Sequence, residues 1–408
     1  MKIPSSLKFT GKDPHIVGIG KAKLLRELEE KLKKQKKWQP NIKVDDSING
    51  SIPNLLIGSY NYPNVNTGFL TNNNLEDNDS PKIWSQNKDI KIEDIILKRQ
   101  SLANSRFNTN VKDNTKFSDK LKEVSLSSKA LASEVFFKGN ITHNLKFNQD
   151  TLPHGPIGEL KRIDVFENAK VPFHVQRAES DTDLKANDAL RELSKRGIDE
   201  HFLTKIISAG NLGVKLERKR VPTKWSITLI DDTLGQAHSK KVMQSDTHPL
   251  SFFQGSYLGN YYFALIFEGP FSFELFETYV GDLKNSSNYR SATDYEGSFG
   301  RKKYAENTGG GYYASKIAAL EYLNKKNMRG RIIMFRFITE EYWAPLGVWV
   351  VREASRNAFK EKPQLFDDKD KLIQHAFQEA LKKFKINILP LIRSSKLLKE
   401  INTQRTLI

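Results

Sequence analysis

The chain has no cysteine in its 408 residues. That removes disulfides, thiolate zinc sites, iron–sulfur clusters and a cysteine nucleophile together. A metal site would have to come from histidine and carboxylates, yet the eight histidines are scattered with no HExxH or HxxxH pair, so neither metal nor cofactor is expected. No run approaches the roughly 20 apolar residues of a membrane span. The opening MKIPSSLKFTGKDPH lacks the apolar core of a secretory signal, so the expectation is a cytoplasmic protein with no membrane partner. Acidic residues are the minority charge: 48 Asp and Glu stand against 65 Lys and Arg, leaving a net +17. Such a surface attracts polyanions by counterion release, which puts nucleic acid first among partners. The plainer alternative is a lysine-rich protein with no specific polyanion.

The densest stretch of chemistry is YEGSFGRKKYAENTGGGYYASKIAALEYL, residues 295–323. Its glycine run, Gly309, Gly310 and Gly311, permits backbone conformations in which successive N–H groups face one point. Tyr313, Ile317 and Leu320 then recur at helical spacing, which places the glycines at a helix N-terminus with Arg301, Lys302 and Lys303 just upstream. This pattern suits a phosphate or nucleic-acid backbone. It suits equally a glycine hinge before a packed helix, since it is neither a P-loop nor GxGxxG.

Along the chain, Lys21–Trp38 reads as an amphipathic basic helix with Leu24, Leu25, Leu28 and Leu32 on one stripe. Leu55–Ile57 reads as a strand entering a loop built from Gly58, Tyr60, Tyr62, Pro63, Asn64 and Gly68, whose aromatics and amides could stack on and bond to bases or simply satisfy one another. Asn72–Asp79 is a polar connection, Ile92–Gln100 a helix, and the Asn-rich piece Asn104–Asp119 a loop. A helical pair follows over 181–213, with Asp181 or Thr182 as a cap and Gly197 as a stop. In KRVPTKWSITLIDDTLG, alternation of Trp225, Ile227 and Leu229 predicts a strand delivering Asp231 and Asp232 at its end. Two adjacent carboxylates there can hold Mg²⁺ or share a proton, or serve only as a turn. Tyr261–Phe267 and Phe271–Glu277 read as a hairpin turning at Glu268-Gly269-Pro270. Arg331–Ile338 and Gly347–Glu353 read as further strands bearing Arg336, Arg352 and Glu353, and Lys371–Lys385 as an amphipathic helix. Strands mixed irregularly with helices predict an α+β fold: a mixed sheet with flanking helices, an amphipathic N-terminal helix and a flexible C-terminal tail.

Several blocks taken in order, IGSYNYPNVNTGFL, DTDLKANDALRELSKRGI, KRVPTKWSITLIDDTLG, LGNYYFALIFEGPFSFELFE, DYEGSFGRKKYAENTGGGYYASKIAALEYL and EYWAPLGVWVVREASR, resemble the Nre family of archaeal DNA-repair proteins. The resemblance implies an N-terminal segment over 1–40, Nre-type regions over 41–285 and 286–400, and a tail over 401–408. It implies a cytoplasmic DNA-repair protein that docks on the PCNA sliding clamp through a short C-terminal peptide. Two departures stand out. The cysteine cluster that family members carry is missing around Lys8–Lys23, so the family's zinc site is lost here. The clamp peptide's pattern is kept in Gln404 and Leu407, with Arg405 and Thr406 between, but the chain stops at Ile408 before the aromatic pair.

Three functions are therefore carried forward. One is a repair factor with a basic, DNA-engaging body tethered to the clamp by Gln404–Ile408. Another is an enzyme acting on nucleic acid or nucleotide, with Arg301, Lys302 and the Gly309–Gly311 turn on phosphate and Asp231, Asp232 or Glu296 as metal ligands or base. The last is an RNA-binding module using Tyr60 and Tyr62.

Overall fold

In SINGSIPNLLI, strand β1 (Ser47–Ile57), apolar side chains Ile48, Ile52, Leu55 and Ile57 turn inward around a bulge between Ser51 and Asn54. β2 (Asn64–Asn72) pairs antiparallel with it. Two helices, α1 (Pro81–Gln86) and α2 (Ile92–Gln100), lead to β3 (Ala103–Asn110), which pairs antiparallel with β2. Helix α3 (Lys116–Leu126) follows, capped by the Thr115 side chain on Ser118 N–H. β4 (Leu131–Thr142) and β5 (Ile157–Val165) complete a closed barrel in the order β1-β2-β3-β5-β4, with β3 and β5 parallel. Val65, Phe69, Phe107 and Val135 fill it, and Leu121 and Val124 of α3 belong to the same core. A five-stranded barrel of this order with a helix between its third and fourth strands is the OB architecture.

The computed structural model describes residues 29, 30, 32, 46–73, 79–142, 145–148, 151–281 and 290–403. They form two compact units. One holds the described residues of 27–234 with Pro345–Gly347, and the other holds those of 235–344 and 348–408. The first adds to its barrel α4 (Phe173–Ser180), α5 (Ala186–Lys195) and α6 (Glu200–Ser208), packed through Val175, Leu190, Leu193, Leu203 and Ile206. α7 (Thr223–Val242) carries the chain onward.

The second unit pairs β6 (Asp246–Thr247) with β11 (Met328–Arg329) and is built on a six-stranded sheet. Its strands are β7 (Ser251–Tyr257), β8 (Asn260–Phe267), β9 (Ser272–Gly281), β10 (Arg290–Glu296), β12 (Arg331–Thr339) and β13 (Gln364–Leu365), in the order β10-β9-β12-β8-β7-β13. The helices are α8 (Gly310–Lys326), α9 (Val348–Ala358), α10 (Lys369–Phe384), α11 (Leu389–Ser394) and α12 (Lys396–Thr403). Phe263, Phe335, Phe337 and Phe276 join one core with Leu372, Ala376 and Phe384 of α10 and Leu397 of α12. The alternate residues turn to the other face, where the Tyr262 hydroxyl meets Ser315 of α8. Both faces are covered, which explains why YYFALIF reads as one apolar run. The fold is α+β, and among the described residues no helix is long and apolar enough to cross a membrane.

Several expectations are corrected. Trp225–Ile230 is helical: Pro222 opens α7, its carbonyl accepting from Trp225 and Ser226 N–H, and Ser226, Ile230 and Thr233 are buried at helical spacing. Asp231 and Asp232 therefore lie on a helix and do not end a strand. Gly347–Glu353 enters α9, because its short β-branched run continues into the helix-forming REASRNA. The expected hairpin of β8 and β9 does not form, since β12 inserts between them, antiparallel to β8 and parallel to β9. Asn64 and Gly68 lie in β2, and Asn104–Asp119 holds β3 and the start of α3. Asp181 ends α4, and Lys185 precedes α5. Beyond Pro390 the chain completes α11 at Ser394 and, after Ser395, forms α12 to Thr403. The expected helix Lys21–Trp38 lies outside the described residues except for Glu29, Glu30 and Leu32, which are helical. Lys8–Lys23, residues 74–78 of the polar connection and Gln404–Ile408 are likewise outside them.

Candidate functional site

The stretch around the glycine run assembles a buried polar network in the sheet unit. The Asp294 carboxylate on β10 accepts from Asn307 N–H at 3.0 Å, Thr308 N–H at 2.8 Å and the Thr308 hydroxyl at 2.9 Å. Arg301 Nη2 donates to the same carboxylate at 3.1 Å, while its other bonds go to the carbonyls of Lys303, Tyr295 and Tyr304. The backbone donors and the arginine before α8 thus close around the protein's own carboxylate. Lys302 and Lys303 are exposed, beside the fully exposed Phe299.

Glu296, two residues along β10, is buried and paired with buried Lys316 of α8 at 2.8 Å. Tyr312 lies among them with the Arg301 guanidinium 5.0 Å over its ring. Burial, reinforced by the Glu296 charge, pushes the Tyr312 phenol well above the usual tyrosine range and keeps it protonated.

Below the glycines, Glu277 of β9 and Arg336 of β12 are register partners and form an ion pair at 2.5 Å. Asn260 accepts from Arg336 Nε and Nη2 at 3.0 and 2.6 Å. Burial alone would lower the Arg336 pKa, but the Glu277 carboxylate raises it above the ordinary arginine value. Gly311 is glycine for a local reason: a Cβ there would sit 2.3 Å from Glu277 Oε1. Gly309 has φ +58° and precedes the first turn of α8. Asp231 is buried within α7, with Asp232 beside it, and both belong to the barrel unit, whereas Glu296 belongs to the sheet unit. Among the described residues no group of three or more His, Asp or Glu side chains is placed to hold a metal.

The last helix is pinned to this unit. Glu274 of β9 accepts from Lys396 and Leu397 N–H at 3.0 and 3.1 Å, capping α12, and the Tyr295 hydroxyl donates to Glu400. Burial raises the Glu274 pKa even so.

The barrel carries a different surface. On β2 and β3 the core takes Val65, Phe69 and Phe107, and the alternate positions place Asn64 opposite Asn110, Asn66 opposite Asn108 and Gly68 opposite Arg106. Asn64, Asn66 and Asn108 are exposed. At one end, the loop between β1 and β2 presents Tyr60, 82% exposed, and Tyr62, whose ring lies 5.0 Å from that of Trp225 at the start of α7. The Thr223 hydroxyl accepts from Ile57 N–H at 2.9 Å and fixes the helix start to the end of β1. Beside the loop is a cleft of about 180 Å³ lined by Gly58, Ser59, Lys146, Asn148, His154 and Lys224, among others. Arg99 of α2 holds its far wall by donating to the Pro153 carbonyl at 2.6 Å. Burial, with the charges of Arg99, Arg106 and Lys146, lowers the His154 pKa to about 4.

The β2–β3 face was missed in the sequence because a strand whose outer residues are asparagines resembles a loop. The signal was the alternation in NVNTGF and NSRFNTN.

These features define a two-unit α+β protein with an OB-type barrel and a polar-cored sheet. The family model for archaeal Nre, N-terminal, matches residues 25–283, and that for archaeal Nre, C-terminal, matches residues 296–408. The chain belongs to the Nre family. It is 31% identical over 341 residues to DNA repair protein NreA of Haloferax volcanii, covering 80% of this chain and 81% of that protein. DNA repair protein NreA of Archaeoglobus fulgidus is 31% identical over 340 residues, covering 81% and 84%. DNA repair protein NreB of the same organism is 31% identical over 338 residues, with the same coverage of 81% and 84%. No solved structure matches.

Proposed function

We propose that this chain is a cytoplasmic DNA-repair factor whose basic body engages DNA and whose last residues dock on the PCNA sliding clamp. The carrying observation is agreement over 80% of the chain with relatives named DNA repair proteins. The net charge of +17 supports a polyanion partner. On the sheet unit the residues facing that partner are Lys302 and Lys303, exposed beside Phe299. Arg301 and the Gly309–Gly311 turn contribute by holding that loop in place, since their surroundings are Asp294 and Glu277.

The docking peptide is Gln404, Arg405, Thr406, Leu407 and Ile408. Gln404 fills a polar pocket and Leu407 an apolar one, their spacing placing both on one side of a helical turn. The anchored helix α12 ends at Thr403, so the peptide follows directly on a fixed point. A linked weak contact of this kind raises the local concentration of the body at the clamp.

The test is retention of the intact protein on purified clamp. Truncation before Gln404, or Gln404→Ala with Leu407→Ala, is expected to abolish it, and a free peptide ending TQRTLI to compete. Equal retention of the intact and truncated proteins would remove the tether from the reading.

A further inference from the structure

The outer face of β2 and β3 has the chemistry of a base-reading surface. Exposed carboxamides at Asn64, Asn66 and Asn108 offer both donors and acceptors, and half-buried Arg106 adds a charged fork. The core is made by the opposite side of the same strands, and across the outer face Asn110 Nδ2 donates to Asn64 Oδ1 at 2.9 Å.

At the end of this face lie aromatic residues, of which Tyr62 and Trp225 pack on each other and Tyr60 is left open. Tyr60 is 82% exposed, Tyr62 39% and Trp225 43%, so all three rings reach solvent where β2 begins. Asn61, at φ +59°, turns the loop, and Asn64 N–H donates to its carbonyl at 2.9 Å. The described residues lining the cleft between this loop and residues 146–148 and 151–154 include no carboxylate. Lys146 at its edge is paired with Glu29 at 3.1 Å, whereas Lys224 has no ion-pair partner among the described residues.

We propose that the outer face of β2 and β3, the Gly58–Pro63 loop and the adjoining cleft bind single-stranded nucleic acid, with Tyr60 as a stacking platform and Lys224 on the backbone phosphates. Stacking needs a free base face, which a duplex hides and a single strand offers. The amide row takes base edges that a duplex would keep paired. Strands 2 and 3 of an OB barrel with the loop between strands 1 and 2 and that between strands 4 and 5 form the groove such a strand can follow. The proposal rests on the DNA-repair reading only in taking DNA as the first probe.

The test is fluorescence anisotropy of the full-length protein with labelled oligo-dT, the same length of duplex, and oligo-U. The single strands are expected to bind more tightly than the duplex, and the ratio of oligo-dT to oligo-U identifies which nucleic acid is the source. Tyr60→Ala is expected to weaken binding about tenfold while Tyr60→Trp retains it. Lys224→Glu is expected to weaken binding and to lower the salt slope by about one or more. Phe173→Ala removes a 71% exposed ring on α4 and should change nothing. Melting curves of each variant separate loss of binding from loss of fold. Wild-type affinity in both Tyr60→Ala and Lys224→Glu, or equal affinity for duplex, overturns the proposal. Clamp retention through Gln404–Ile408 is read separately, so either idea can fail while the other stands.

Discussion

In the sheet unit, Asp294, Glu296, Arg301, Lys316, Glu277 and Arg336 bind one another beneath the surface, while on the barrel Asn64, Asn66, Asn108 and Tyr60 stand open on the outer face. The stretch richest in charge and glycine thus pairs its buried charges with the protein's own side chains. A phosphate arriving near Gly311 would meet a backbone backed by the Glu277 carboxylate. On the barrel the reverse holds, with polar groups of low charge left facing solvent beside exposed rings. Motif density along a chain measures how many polar groups gather, and burial decides whether they serve one another or a ligand.

The contrast is broken most sharply at Arg336. Arg336→Ala leaves the buried Glu277 carboxylate without its partner and should cost about 3–5 kcal/mol in denaturant unfolding. A loss below about 1 kcal/mol would mean that water reaches the pair and that the network is not sealed.

Within the barrel unit, His154 provides a pH test. Its folded pKa is about 4 against an ordinary 6.5, so between these values the unfolded chain holds the proton more readily and stability rises with pH. The stabilisation is present above about pH 6.5 and is lost as pH falls through about 4, a total on the order of 3 kcal/mol. Thermal unfolding followed across that window should show the loss, and His154→Gln should flatten that part of the profile. An unchanged profile in the variant would show that the imidazole is solvated.

The smallest effect is expected on the open face. Asn66→Ala with Asn108→Ala should move stability by less than about 0.5 kcal/mol, because both side chains are exposed and neither supports the core. A larger loss in chemical denaturation would make the amide row part of the barrel's own fabric, and the two regions would no longer differ in kind.

Much of the architecture was legible. The bounds expected for Ile92–Gln100 match α2, and the starts and ends of α8, α10, β8 and β12 fall within a few residues of where periodicity put them. Failures came over short runs: WSITLI alternates like a strand but is claimed by a helix begun at Pro222, and VWVV, buried throughout, has the composition of a strand but opens the helix that runs on through REASRNA. The candidate site was legible as a collection of residues and not as an arrangement. That Glu296 meets Lys316, and that Arg301 meets Asp294, follows from β10 passing beside the start of α8.

Local spacing and composition were enough to show an α+β chain of strong positive charge, without thiol chemistry and with the ordered blocks of its family. Pairing across the chain settled the rest: β12 entering between β8 and β9, β5 closing the barrel against β3, and the glycine turn coming to lie against Glu277. Those outcomes depend on which distant surfaces bury one another, and a residue's immediate neighbours in sequence carry no record of that.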